Sequence, residues 1–146
     1  MAETLGSLCD KLTILKLKQF HSSDRAHLNS LREQETQIKN EMEQFLFDAL
    51  NGMIPFDKLS FQANKVFKKC GNKVREIKGD FGELFALLAT VNCDLWHTQE
   101  IVYEFDKVAA EDKNKVIRRL AILNLERNKC MDEIDKNFIK LVIKKH

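Results

Sequence analysis

Seven polar residues stand at positions where the surrounding pattern is apolar. Asp10 and His21 lie in a leucine-rich N-terminal stretch, Asn92 and Glu100 in the most apolar part of the chain, and Asn124, Arg127 and Asn128 in the C-terminal third. Their types suit binding. A guanidinium holds a carboxylate or phosphate through a planar fork, and asparagine amides orient hydroxyl groups. His21 beside Asp10 or Glu100 would add acid–base capacity. If these side chains converge, they form a polar pocket between helices, with Trp96 as a stacking wall and Arg127 as the anion clamp. The same residues also suit a buried hydrogen-bond and ion-pair network that only fixes helix register. The sequence leaves both readings open.

Metal chemistry has a thinner basis. Cys93, His97, Glu100 and Glu104 share one flank of a helix at i, i+4, i+7 and i+11. All are zinc-capable, yet one helix rarely completes a site and no second helix offers a matching pair. The Glu-x-x-His pairs of di-iron bundles are absent. The expectation is no metal, with Cys93, His97 and Glu100 the residues that would hold one. Four cysteines and four histidines permit a Cys–His dyad, but no local signature supports it, and there is no glycine-rich phosphate loop, G-x-S-x-G or H-E-x-x-H. No cofactor follows from the sequence, and whether a reaction is catalysed stays undecided.

The elements that must position these residues read as helices. At ~100° per residue, Leu84, Phe85, Leu88, Val91, Leu95 and Trp96 cover about half the circumference of a helix over Asp80–Phe105, broad enough for neighbours on two sides. Gly79 can end a preceding helix, and Asp80 with Glu83 predicts a capping box. A first helix is expected from Glu3 to His21, carrying Leu5, Leu8, Leu12 and Leu15, and Ser22-Ser23-Asp24 offers cap oxygens for the next. The second carries Leu28, Leu31, Ile38, Met42 and Phe45, with Glu35 inside that seam, and stops before Asn51-Gly52-Met53-Ile54-Pro55. A third is expected from Leu59, Ala63, Val66, Phe67, Cys70, Val74 and Ile77, interrupted or kinked at Gly71-Asn72. The last runs from Lys113 to Ile143, with Val116, Leu120, Leu123, Cys130, Ile134, Phe138 and Leu141 in one stripe and Asp135 beside it.

One proline and five glycines in 146 residues leave little punctuation for sheets. The fold class is all-α: an antiparallel helical bundle of four to five long helices forming a single domain over residues 1–146. The net charge of +2 hides a drift, since residues 1–50 hold six basic and eight acidic side chains whereas residues 101–146 hold eleven and eight. This is too mild to argue for nucleic acid, and the lysines flanking Arg75 read as a solvated face. The scattered cysteines read as reduced, buried thiols, and neither a leader nor a membrane span is apparent, so a cytoplasmic location is expected.

Three stretches carry a resemblance: Asp10-Lys11-Leu12-Thr13-Ile14-Leu15, then Asn92-Cys93-Asp94-Leu95-Trp96, then Asn124 through Arg127-Asn128 to Asp135. In order and content they resemble a bacterial family of small helical proteins of unknown function, with D-K-x-x-I-L, N-x-x-L-W-x-x-E-D and N-x-x-R-N helix motifs. The resemblance leaves residues 25–78 uncovered, and Gln99 and Glu100 stand where the family has Glu and Asp. It implies a polar set of Asp10, Lys11, His21, Asn92, Trp96, Glu100, Asn124, Arg127, Asn128 and Asp135. It also implies a link to surface-polysaccharide metabolism. The expected function is therefore a pocket for a small anionic or sugar-like ligand. The alternative is a non-catalytic interaction module or homo-oligomer, because the apolar excess on the first and central helices exceeds what a small monomer covers.

Overall fold

The computed structural model describes residues 3–61 and 74–146. Four helices dominate it: α1 (Leu5–His21), α2 (Arg25–Leu50), α3 (Phe81–Tyr103) and α4 (Lys113–Lys145), with single 3-10 turns at Phe56–Lys58 and Phe105–Lys107. Among the described residues there is no strand, and the fold is an all-α bundle.

Helix starts follow from short side chains that satisfy free backbone N–H groups. Thr4 precedes α1, its Oγ1 accepting from the Ser7 backbone N–H at 3.2 Å while Ser7 Oγ accepts from the Thr4 N–H at 2.9 Å. This reciprocal box starts the helix at Leu5 rather than Glu3. Asp24 opens α2, accepting from the His27 N–H at 3.1 Å. The box expected at the start of α3 does not form: Asp80 makes no side-chain cap bond. Glu83 instead lies against Gly79, whose φ of 153° belongs to the region glycine alone adopts without strain.

The expected third helix is the main correction. Ala63, Val66, Phe67, Cys70 and the Gly71-Asn72 break lie outside the described residues. Leu59 closes a 3-10 turn, and Val74–Asp80 have no helical backbone. Ile77 still reaches the core, at 5% exposure. A β-branched apolar side chain can anchor an irregular segment as well as a helix, and its spacing from Val74 cannot tell the two apart.

The core is built mainly from α3 and α4, the most extensive pairing among the described elements. Leu84, Leu88 and Val91 meet Leu123, Cys130, Ile134, Phe138 and Val142 there. Burying each such leucine is worth about 1.5–3 kcal/mol. Asn137 Nδ2 approaches the Gly79 carbonyl at 3.5 Å while Arg119 pairs with Asp94, so α3 and α4 run antiparallel. α1 lies across both and also runs antiparallel to α4, with Gly6 beside Asp135 and Asp10 beside Arg127. α2 folds back on α1 through the three-residue link Ser22–Asp24 and touches α4 mainly near its own end, where the Phe45 and Phe138 rings lie 6.0 Å apart. The carboxylate expected within the α2 seam is held there: Glu35 accepts from Gln19 Nε2 at 2.8 Å and from Lys39 and Lys16. Those bonds, that of Gln19 first, hold its carboxyl down at about 2.

Gly6 sits at the tightest crossing, where an added Cβ would come within 2.5 Å of the Met131 carbonyl oxygen. Only a missing side chain lets the α1 and α4 backbones approach so closely. Among the described residues no helix is long and apolar enough to cross a membrane.

Candidate functional site

The polar residues singled out from the sequence fall into separate groups. At the centre is a closed knot of α1, α3 and α4. Asp10, 3% exposed, accepts from Arg127 Nε at 2.8 Å on one oxygen and from Arg127 Nη2 at 2.6 Å on the other. Asn92, also 3% exposed, donates to the same carboxylate at 2.9 Å and to Thr13 Oγ1 at 2.7 Å. Thr13 in turn donates to the Asp10 carbonyl at 2.8 Å. Spacing on α1 makes this possible, because Asp10 and Thr13 are one turn apart and face the same neighbour. The Asp10 hydrogen bonds raise the Arg127 pKa against the opposing effect of burial. Arg127 is thus committed through two of its nitrogens to an internal partner. Its third nitrogen, Nη1, donates no hydrogen bond among the described residues.

The knot forms one wall of a groove of about 500 Å³ between α1, α2 and α4. Lys11, Lys18 and Arg127 supply positive charge there; Gln34, Gln37 and Asn128 supply amides; Ile14, Ile38 and Met131 supply an apolar floor. Lys11 is drawn aside by Glu3. Lys18 has no ion pair among the described residues. Asn128 donates back to the Asn124 carbonyl at 2.7 Å and Asn124 to the Leu120 carbonyl at 3.1 Å. The amide oxygen of Asn128 therefore remains as an acceptor for a ligand hydroxyl.

His21, Trp96 and Glu100 do not line this groove. His21 lies face to face with Trp96, centroids 4.7 Å apart and planes 9° apart, with the His97 ring edge-on at 6.1 Å. At ~1.5 Å per residue His21 is about 16 Å along α1 from Asp10, so that acid–base pair does not form. Glu100 instead lies 4.0 Å from His97 Nδ1 on an exposed surface. Cys93, His97 and Glu100 do not close into a ligand set: among the described residues no three His, Cys, Asp or Glu side chains could hold a metal.

Asp135 occupies a third place. Its Oδ1 accepts from the Gly6 N–H at 2.7 Å, while Oδ2 is buried without a hydrogen-bond partner. Burial pushes this carboxyl up to about 6, against the pull of the Gly6 N–H and of the Thr4 side chain. The thiol of Cys9 is pushed up to about 12 by burial and by the charges of Asp135 and Asp10, and that of Cys130 to about 11 by burial. Neither is a thiolate near neutrality, and both serve as packing. Cys93 is a half-buried free thiol, and Cys70 lies outside the described residues.

Thr13 and Gly6 escaped sequence reasoning. A threonine on an apolar face reads as filler, and Gly6 reads as a weak helix former, until the neighbouring helices are in place. Compared with models of known protein families, with curated proteins and with solved structures, the chain gives no match.

Proposed function

We propose that the groove between α1, α2 and α4 binds a small, negatively charged, hydroxyl-bearing ligand such as an acidic sugar. The observation that carries this reading is the combination of Lys18, unpaired among the described residues, with three amide side chains over an apolar floor. Cationic groups attract a carboxylate or phosphate, amides satisfy hydroxyls, and the apolar floor accepts the face of a ring. The volume of about 500 Å³ suits a molecule of one or two sugar rings. The motif resemblance, with its implied link to polysaccharide metabolism, points to the same ligand class.

Arg127 acts in this reading through its free Nη1 and by holding the wall, rather than as a complete anion clamp. The decisive experiment is a thermal-shift and titration screen with uronic acids and sugar phosphates. The wild type should be stabilised, and Lys18→Ala and Gln37→Ala should each weaken binding about tenfold while leaving the unliganded melting temperature in place. Stabilisation that survives both substitutions would place the ligand elsewhere.

A second reading has its own support. Phe20 is 82% and Tyr103 78% exposed, beside the His21–Trp96 stack and the α3 C-terminus respectively. Exposed aromatics of this size favour a non-catalytic interaction module or homodimer. Sedimentation at micromolar concentration separates the readings, because Phe20→Ser should shift a self-associating protein towards monomer and leave groove binding untouched.

A further inference from the structure

On the opposite side of α4 from the groove lies a cleft of about 460 Å³ that no candidate from the sequence anticipated. Four cationic side chains line it: Lys115, Arg118 and Arg119 from the first turns of α4, and Arg75 from the irregular segment before α3. Two carboxylates face them, Asp94 and Glu126. The cations outnumber the carboxylates two to one, and the pairs that form are loose. Arg75 meets Glu126 through both Nε and Nη2, each at a long 3.4 Å, and Arg119 Nη2 stands 3.8 Å from Asp94. Lys115 turns towards Asp112 at 4.0 Å, and Arg118 has no ion pair among the described residues.

We propose that this cleft is a second anion site, built for an oligophosphate group. Three features of the chain lead there. Lys115, Arg118 and Arg119 stand at i, i+3 and i+4, so like charges crowd one face of the helix and repel each other. Lys115 also stands in the first turn of α4, whose partial positive charge disfavours a cation there. No acidic residue lies in that first turn, and Asp112 just before it makes no side-chain cap bond and reaches Lys115 only at 4.0 Å. A fold that carries this unfavourable arrangement is stabilised by an anion that fills it.

The spread of the cations selects the ligand. Lys115 and Arg119 are about 6 Å apart along the axis, and Arg75 approaches from another element across the cleft. A single carboxylate or monophosphate reaches only part of such a set. A chain of two or three phosphates reaches all of it, with guanidiniums binding its oxygens in pairs. The two carboxylates act as spacers that keep Arg75 and Arg119 extended at the rim. The cleft uses Lys115, Arg119 and Ile122 of α4 and the groove uses Asn128 and Met131, arcs nearly opposite at ~100° per residue, so the two lie back to back across one helix. The cleft reading stands whether or not the groove binds a sugar.

The test uses inorganic tripolyphosphate at low ionic strength, with sulfate at matched ionic strength as the control for general charge screening. Wild type should bind tripolyphosphate at least about tenfold more tightly than sulfate. The double variant Lys115→Ser/Arg118→Ser should lose roughly tenfold or more in affinity, since two charge-assisted contacts go. Lys18→Ala, in the groove, should bind tripolyphosphate as wild type does. Both cleft positions are exposed, and the unliganded double variant should melt at or slightly above the wild-type temperature. A nucleoside diphosphate binding more tightly than inorganic diphosphate identifies the source as a nucleotide, and equal affinity identifies free oligophosphate; both support the site. Indifference between tripolyphosphate and sulfate would overturn it, as would binding that survives the double variant or is lost in Lys18→Ala. So would a short oligonucleotide that binds far more tightly than tripolyphosphate with a steep salt dependence.

Discussion

Asp10 and Asp135 are both buried at the contact between α1 and α4, 3% and 1% exposed, yet they are opposites in chemistry. Asp10 meets a guanidinium fork and an asparagine amide, so its charge is matched and its oxygens are occupied. Asp135 meets neutral groups instead, the Gly6 backbone N–H at Oδ1 and the Thr4 side chain, with no cation paired to it among the described residues and no hydrogen bond at Oδ2. Depth in the fold does not decide how a carboxylate behaves; the number and charge of the donors around it do. The first aspartate organises three helices. The second sits where a neutral group would be more comfortable, and it holds the α1 N-terminus at the cost of an unsatisfied atom.

The largest expected effect comes from making the first site resemble the second. Arg127→Ala strips Asp10 of its cation and should destabilise the protein by about 3–5 kcal/mol, as removing one partner of a buried pair does. Chemical denaturation at neutral pH measures this, and Asp10→Asn in the same background should recover part of the loss. If Arg127→Ala costs no more than a surface substitution, the knot is not the organising feature.

Making the second site resemble the first is the converse. The Asp135 carboxyl is held near 6 in the folded protein against an ordinary value of 3.8. The folded state therefore binds the proton more tightly than the unfolded chain. Its contribution is favourable below about pH 4 and is lost as pH rises through about 6. The size is on the order of 2–3 kcal/mol, from ~1.4 kcal/mol per pKa unit. Asp135→Asn should remove this slope and gain stability at pH 7, read from melting curves across pH 4–8 relative to wild type. A variant with the wild-type pH profile would show that Asp135 is not the titrating group.

Next in size is the backbone contact that brings the two aspartates under α1. Gly6→Ala would force the α1–α4 crossing apart at Met131 and should cost about 1–3 kcal/mol by overpacking. It should also weaken the Gly6–Asp135 bond, which holds that carboxyl down, and so push it further up and steepen the same pH dependence. Equal stability of Gly6→Ala and wild type would mean that the crossing relaxes freely.

The smallest effect serves as the exposed counterpart. Glu35, held down at about 2 by Gln19, Lys39 and Lys16, contributes stability that is present above about pH 4.5 and lost as pH falls towards 2. The two lysines are more than half exposed, and Glu35→Gln should cost under about 1 kcal/mol, less at high salt. A cost as large as that of Arg127→Ala would erase the distinction between rim and interior charges.

Much of this could be read before any coordinates. The 3-4 spacing of Leu84, Leu88 and Val91 and of Leu123, Ile134 and Phe138 announces two long helices with broad apolar faces. The break at Ser22-Ser23-Asp24 is visible because serine and aspartate cap helices locally. Periodicity misled at Val74 and Ile77, where two apolar residues at helical spacing belong to an irregular segment. It also misled at Asp80 and Glu83, whose spacing matches a capping box while their side chains do otherwise. Asp10, Asn92 and Arg127 stood out as polar residues on apolar faces, but His21 and Glu100 stood out by the same rule and lie elsewhere.

The sequence alone determined the all-α class and most of the apolar faces, although Leu141, expected in the α4 stripe, is 57% exposed while Val142 beside it is buried. Those depend on local capping and on residues a turn apart, which the chain spells out directly. Tertiary structure decided which polar residues meet. Asp10 and Arg127 are 117 positions apart, and their pairing depends on the rotation and crossing of two helices, which the close approach at Gly6 helps to set. The same assembly left Asp135 without a cation beside it among the described residues, opened the groove beside Lys18, and gathered Arg75 with Lys115, Arg118 and Arg119 into one cleft. A helical pattern says which side of a helix is apolar. It does not say which polar atoms from other helices will arrive there, because that depends on packing summed over the whole core.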